Sequence, residues 1–323
     1  MPTRYVQPLR ILIQFCFLSF MFWLGVRFWQ FVHYLRSDGT APFVERPPGI
    51  EGFLPISGLM GASAWFKGLG INPIHPAAVV IFLTVLAVAL LLRRSFCSWI
   101  CPVAAISECS WKAGFWLFKR NPRLPRWLDV ALRGLKYLLL LFFLVQIVPM
   151  PAGPLLEFIH SDYHKVADIR LLDFFLHIST PALVVILTLF LLSLPLKNPF
   201  CRYLCPYGAL LGLVAMLSPV RVTRDRERCV SCGVCSQVCP TYIDVMAKKS
   251  VASPECIGCW RCVSHCRAQG ALSMRAASRF AIPGILFALL VVLVFWGGSL
   301  AGKATGHWDT AISMDEYLRL VGR

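Results

Sequence analysis

Five stretches of nearly unbroken apolar residues, separated by segments rich in charge, proline and cysteine, set the pattern of the chain. They cover about residues 11–32, 76–92, 135–148, 174–194 and 280–300. Several are near the roughly 20 residues that an α-helix needs to cross a bilayer, and about five transmembrane helices are predicted. The second and third are short, which places their ends among neighbouring helices rather than in lipid. The first follows Arg4 and Arg10 like the opening of a signal peptide. It is long and lacks a small-residue cleavage site, so it reads as a retained helix. With 57% hydrophobic and 15% charged residues and a mean hydropathy of +0.66, the composition excludes a disordered chain, a collagen, a small disulfide scaffold and a single soluble core.

Charge orients the helices. Taken alternately, the segments between apolar stretches hold 23 Lys and Arg against 8. By the positive-inside rule the N-terminus and residues 93–136 and 195–279 face the cytoplasm, and the C-terminus lies outside, in a membrane of the bacterial inner type. The net charge of +16 follows from this topology, and no nucleic-acid partner is expected; the partners expected are membrane lipid and a redox protein. Residues 33–75, with Pro42, Pro47, Pro48, Pro55, Pro73 and several glycines, have the composition of turns rather than helix. At the other end, Asp315 and Glu316 open an amphipathic stretch through Leu320 that reads as a surface helix.

Fourteen cysteines change the picture, because twelve fall in four spaced groups, leaving Cys16 and Cys109 as packed apolar residues. Cys229, Cys232, Cys235 and Cys239-Pro240 form C-x-x-C-x-x-C-x-x-x-C-P, and Cys256, Cys259, Cys262 and Cys266 repeat the spacing. In such a pair of runs three thiolates reach one cubane and the fourth ligates the other. The expected ligands are therefore Cys229, Cys232, Cys235 and Cys266 for one [4Fe-4S] cluster and Cys239, Cys256, Cys259 and Cys262 for the second. Zinc explains two overlapping four-cysteine runs poorly, and disulfides do not suit a reducing cytoplasm. Gly233 and Gly258 suit backbone turns that bring amides to the cluster. Arg267 stands where a proline is usual, and Lys248, Arg261, Arg267 and Arg275 would raise a nearby cluster's potential.

A second repeat follows the second and fourth apolar stretches: Phe96-Cys97-Ser98-Trp99-Ile100-Cys101-Pro102 and Phe200-Cys201-Arg202-Tyr203-Leu204-Cys205-Pro206, both F-C-x-x-x-C-P. Proline after the second cysteine starts a helix, leaving Cys101 and Cys205 at its cap, where the dipole favours thiolate. Together Cys97, Cys101, Cys201 and Cys205 are candidate ligands of a third, membrane-proximal iron–sulfur or metal centre. Copper(I) and a metal-free dithiol are the alternatives.

The duplicated F-C-x-x-x-C-P segments and the eight-cysteine module resemble the NapH/NosR-type membrane ferredoxins over most of residues 76–275. The resemblance implies electron transfer between a membrane quinol pool and redox partners. An N-terminal flavin domain, as in the NosR branch, and a C-terminal immunoglobulin-like domain, as in the CcoG copper-reductase branch, are not expected here, which favours a compact NapH-like subunit. For a quinol, His75, Glu157, Asp173 and His177 are the candidates on the outer side, and His33 and His177 are the pair nearest to haem-ligand placement. The expected organisation is an α-helical membrane domain over residues 1–220, a bacterial-type 2[4Fe-4S] ferredoxin-like α+β module over 221–275, and a fifth helix with an outer tail over 276–323. The expected function is iron–sulfur electron relay; a copper-handling reductase and a non-catalytic assembly or sensor subunit are the alternatives.

Overall fold

The apolar stretches are helices in the computed structural model, which describes residues 3–37, 40–277 and 279–321. Val6–Arg36, Arg126–Ile147 and Gly284–Ala304 are long and apolar enough to cross a membrane. Ala167–Leu176 with Thr180–Leu192 makes a fourth candidate span if the pair counts as one, and Pro76–Leu92 is a shorter apolar helix. The chain is therefore a mostly helical membrane protein with three to four candidate spans among the described residues. Rows of apolar side chains, such as Leu138, Leu141 and Val145, or Leu183, Leu187 and Leu191, are exposed and suit lipid contact.

Three segments differ from the sequence pattern. The third helix begins at Arg126 rather than near 135 and has 22 residues, so it is not short. Its charged first turns are helical because Asp129 pairs with Arg202 at 2.8 Å and Lys136 with Glu255 at 2.6 Å. The fourth helix is broken by 80° before Thr180-Pro181, where proline lacks the N–H that a continuous helix needs. Residues 33–75 are not all turn, because Pro55 opens a helix to Phe66, as proline readily does at the first helical position. Glycines that read as turn residues are there packing residues: a Cβ at Gly58 would lie 2.7 Å from Phe82 Cβ.

The chain forms two compact units: Met1–Leu18, Val85–Leu141 and Ile186–Val294 in one, Ser19–Thr84, Phe142–Val185 and Phe295–Arg323 in the other. The first holds the grouped cysteines and a four-stranded antiparallel sheet in the order β2-β1-β3-β4, with β1 Val220–Arg224, β2 Ser250–Val251, β3 Leu272–Ala276 and β4 Phe280–Ala281. Val222 opposes Met274 and Val251, and alternation buries Val220, Val222, Leu272 and Met274 on one face. The second unit is built around Phe28, Phe31, Leu35, Leu155, Ile159 and Ile169. Cys16 and Cys109 are exposed rather than packed.

In the first unit Gly114 lies against the Leu194 backbone, where an added Cβ would overlap the carbonyl. Gly114→Ala is expected to cost about 1–3 kcal/mol, read as a lower thermal unfolding midpoint in detergent. Gly25, whose Cβ position is open, supplies the control: Gly25→Ala should leave the midpoint unchanged.

Candidate functional site

In the ferredoxin-like module each cysteine run turns sharply before a short helix, Val234–Gln237 or Arg261–Ser264. Gly233 and Gly258 are left-handed, as are Trp260 and Ser231 at the equivalent positions of the other run. The structure gathers Cys239, Cys256, Cys259 and Cys262 around one cavity. It gathers Cys229, Cys232, Cys235 and Cys266 around another. The last cysteine of each run thus stands with the first three of the other. Among the described residues no three His, Cys, Asp or Glu side chains could hold a single metal ion, whereas zinc needs its sulfurs within about 2.3 Å of one point. Thiols spaced around a cavity fit a cubane, whose irons meet their ligands at separate corners.

The electrostatics agree with that fit. Burial pushes the Cys259 thiol up to about 12 and the Cys262 thiol well above its ordinary value, and neighbouring cysteines add to both. Such thiols ionise when a bound cationic core shares their charge. At the exposed end of the module Cys229 is lowered instead, by the Ser231 backbone N–H and by Arg224.

The two F-C-x-x-x-C-P segments repeat in backbone detail. The Cys101 N–H donates to the Phe96 carbonyl and the Cys205 N–H to the Phe200 carbonyl, both at 3.0 Å. Cys101 and Cys205 then cap helices that begin at Pro102 and Pro206, and Cys205 Sγ accepts from the Gly208 N–H at 3.2 Å. Burial dominates over the helix start: it pushes the Cys101 thiol up to about 12, with Cys97 adding to it, so the cap does not by itself yield a thiolate. Burial and then Cys101, Cys205 and Cys97 push up Cys201, as expected where four thiols converge. Cys97 and Cys201 line a cavity with Arg94, Lys197 and Arg202. Lys197 is pushed down to about 8, chiefly by burial and also by Arg261.

Residues that the sequence patterns did not single out join these parts. Arg93 and Arg94 donate to the Ser253 and Pro254 carbonyls at 2.6 and 3.2 Å, Ser98 Oγ to Ile257 at 2.5 Å, and Trp99 Nε1 to Gly258 at 3.1 Å. Buried Lys136 meets Glu255 beside them, while Arg202 pairs with Asp129 and donates to the Thr241 carbonyl. Gly208 leaves room for the Arg94 guanidinium, 3.0 Å from where its Cβ would be. The one signal in the sequence is charge inside or directly beside apolar stretches, which demands a partner.

The outer quinol candidates do not form one group. His75 is fully buried between Glu51, 3.3 Å away, and the His164 carbonyl, 2.8 Å away. Glu157 is exposed, Asp173 pairs with Arg36 at 2.7 Å, and His177 is exposed at the bend of the fourth helix. His33 stacks on Trp29. The side chains that do surround His75 are Glu51 and His164, and Glu51 is not a candidate from the sequence, because only the fold brings its segment to His75.

Cysteine groups gathered around cavities, together with long apolar helices, mark an iron–sulfur electron-transfer protein of the membrane, and comparison with known proteins agrees. Residues 74–125 and 178–224 match the family described as a 4Fe-4S binding domain, and residues 221–267 match the 4Fe-4S dicluster domain. The chain is 38% identical over 314 residues to YccM of Escherichia coli (strain K12), a protein named for electron transport, covering 95% of this chain and 88% of that one. It is 30% identical over 203 residues to the ferredoxin-type protein NapH of Haemophilus influenzae, covering 60% of this chain and 64% of that one. With the methylamine utilization ferredoxin-type protein MauN of Paracoccus denitrificans it shares 42% identity over 73 residues, 22% of this chain and 26% of that one. No solved structure matches. The chain belongs to the NapH-like 4Fe-4S ferredoxin family.

Proposed function

We propose that this chain relays single electrons between a quinol-class carrier in the membrane and a redox partner protein. Its centres would be two [4Fe-4S] clusters, on Cys229, Cys232, Cys235 and Cys266 and on Cys239, Cys256, Cys259 and Cys262, and a third centre on Cys97, Cys101, Cys201 and Cys205. The observation that carries the proposal is a set of shared walls. Pro240, Thr241 and Ile257 line both the Cys239/Cys256/Cys259/Cys262 cavity and the one beside Cys97 and Cys201. Cys235, of the remaining group, acts electrostatically on Cys262. These adjacencies support a relay in which the three groups would act in series.

When bound, iron–sulfur clusters supply one-electron carriers. The Arg93, Arg94, Ser98 and Trp99 hydrogen bonds to residues 253–258 would fix the position of the third centre relative to the cluster of Cys256 and Cys259. Arg94, Lys197 and Arg202 beside the third cavity favour the more negative, reduced state there. The charge asymmetry of the loops supports a cytoplasmic ferredoxin module in a bacterial-type inner membrane, with the quinol meeting the chain on the outer side.

Iron and sulfide content of protein purified without oxygen tests the proposal. Two clusters require about eight iron atoms per chain and a third about ten to twelve. Changing Cys97, Cys101, Cys201 and Cys205 together to serine should remove the excess and leave about eight. About eight in both proteins would refute the third centre and assign these cysteines to copper or to a dithiol.

A further inference from the structure

A group of buried ionisable side chains that the relay does not use gathers around Glu51. Arg46 Nη2 donates to Glu51 Oε1 at 2.9 Å, and Arg46 Nε and Nη2 donate to Asp168 Oδ2 at 2.9 and 2.7 Å. The Ala78 N–H donates to Glu51 Oε2 at 2.9 Å. His75 completes the group, His164 packs against it with ring centroids 4.9 Å apart, and Tyr317 faces Arg46 and Asp168. Glu51 and His75 are 0% exposed.

Donor and acceptor roles assign the protons. His75 Nε2 faces the His164 carbonyl at 2.8 Å, and a carbonyl only accepts, so this nitrogen carries hydrogen. His75 Nδ1 faces Glu51 Oε1 at 3.3 Å; a proton must lie between them, on the ring or on the carboxyl, or two lone pairs would oppose each other in a buried site. His164 is different: Nδ1 donates to the Ile159 carbonyl at 3.0 Å, which leaves Nε2 to accept from Ser57 Oγ at 2.8 Å, a neutral ring. Burial, with His75 adding to it, pushes His164 down to about 4, and burial keeps the Tyr317 hydroxyl protonated. With Arg46 positive and Asp168 negative, the single proton shared by Glu51 and His75 brings the buried group to zero net charge.

We propose that Glu51 and His75 form a one-proton store that exchanges its proton with the quinol-class carrier; this rests on the quinol reading above. Oxidation of one quinol releases two electrons and two protons. The electrons leave singly toward the iron–sulfur centres, one proton enters the emptied Glu51/His75 pair, and the other goes to water. The pair discharges to water before the next turnover, and quinone reduction runs the same steps backwards. Two buried donors next to the pair have no partner, Arg46 Nη1 and Asn72 Nδ2. Asn72 Oδ1 accepts from the His75 backbone N–H at 3.4 Å, so both donors belong to residues bonded to the pair and are suited to an oxygen that delivers or takes the proton.

The test separates this role from a structural one. Full-length wild-type, H75Q and E51Q/H75Q proteins in nanodiscs, matched for iron content and for complete bleaching by dithionite, are mixed without oxygen with decylubiquinol or menadiol. H75Q should lower the unfolding midpoint, because it buries an uncompensated negative charge, and E51Q/H75Q should restore it, because Arg46 and Asp168 still balance. Both variants should nevertheless bleach about 100-fold more slowly with quinol than wild type. Wild-type bleaching by E51Q/H75Q would overturn the store while leaving the quinol reading intact. Failure of wild-type clusters to react with either quinol, or with quinone once reduced, would instead refute the quinol reading itself. Should neither variant fold, infrared difference spectra of wild type decide. A carboxyl or imidazole band that shifts in D₂O on quinol oxidation supports the store, and its absence overturns it.

Discussion

Replacing Cys266 by serine is expected to remove about four iron atoms per chain, and to remove them from the cluster of Cys229, Cys232 and Cys235 rather than from that of its sequence neighbour Cys262. The reason is geometric: Cys266 lines the cavity of the first run, and Cys239 lines that of the second. Double variants make the assignment decisive. C229S/C266S should lose no more iron than C266S alone, because both residues serve one cluster, whereas C256S/C266S should lose about eight. The reverse pattern would mean that each run holds its own cluster, and the crossed assignment would fall. The measurement is iron and sulfide per chain with electron paramagnetic resonance of the dithionite-reduced protein, in which one remaining cluster loses its magnetic neighbour.

Glu108→Ala is expected to destabilise the protein by about 3–5 kcal/mol. Arg10, whose side chain is fully buried, donates to both Glu108 carboxylate oxygens at 2.6 and 2.7 Å, and Lys112 and Arg261 add pairs at 2.7 and 3.3 Å. Without the carboxylate Arg10 keeps only the Ser98 carbonyl and the Gln7 amide oxygen, neither of which neutralises a buried charge. Gln7 also donates to the Cys259 carbonyl at 3.0 Å, so iron held by Cys239, Cys256, Cys259 and Cys262 should be lost more readily on warming. Burial alone would raise the Glu108 carboxyl, but Arg10 and then Lys112 hold it well below its ordinary 4.5. A depressed folded-state value gives stability that is fully present above the unfolded value and is lost as pH falls through the folded one. The gap between wild type and Glu108→Ala should therefore be flat between about pH 6 and 8 and shrink below about pH 4.5, as read from unfolding midpoints. A gap absent at pH 7 would refute the role of the pair.

The cysteine spacing was legible because ligation to a cubane is local: three ligands within seven residues need only a tight turn, and the eight positions could be read without a fold. The F-C-x-x-x-C-P repeat was legible for the same reason, and its backbone closure recurs at Phe96/Cys101 and Phe200/Cys205. Apolar helices were legible where nothing but lipid or other apolar residues meets them. The reading failed where charge is paired across long sequence separations. Asp129 read as a loop residue but lies in the first turn of a helix, where Arg202 neutralises it. Gly58 read as a turn residue but is a contact surface for Phe82. His75 reads from the sequence only as one quinol candidate beside Glu157, Asp173 and His177, because proximity to a membrane face says nothing about which side chains touch.

By itself, then, the sequence determined the membrane character, the iron–sulfur chemistry and the candidate residues for it, because hydropathy and ligand spacing are properties of short segments. Only the tertiary structure decided which thiols share a cavity, that the Cys239/Cys256/Cys259/Cys262 cavity and the one beside Cys97 and Cys201 share walls through Pro240, Thr241 and Ile257, and that Glu51 rather than Glu157 stands beside His75. Those are outcomes of burying charge and thiol groups far from water, where each must find its partner across the fold or be excluded from it.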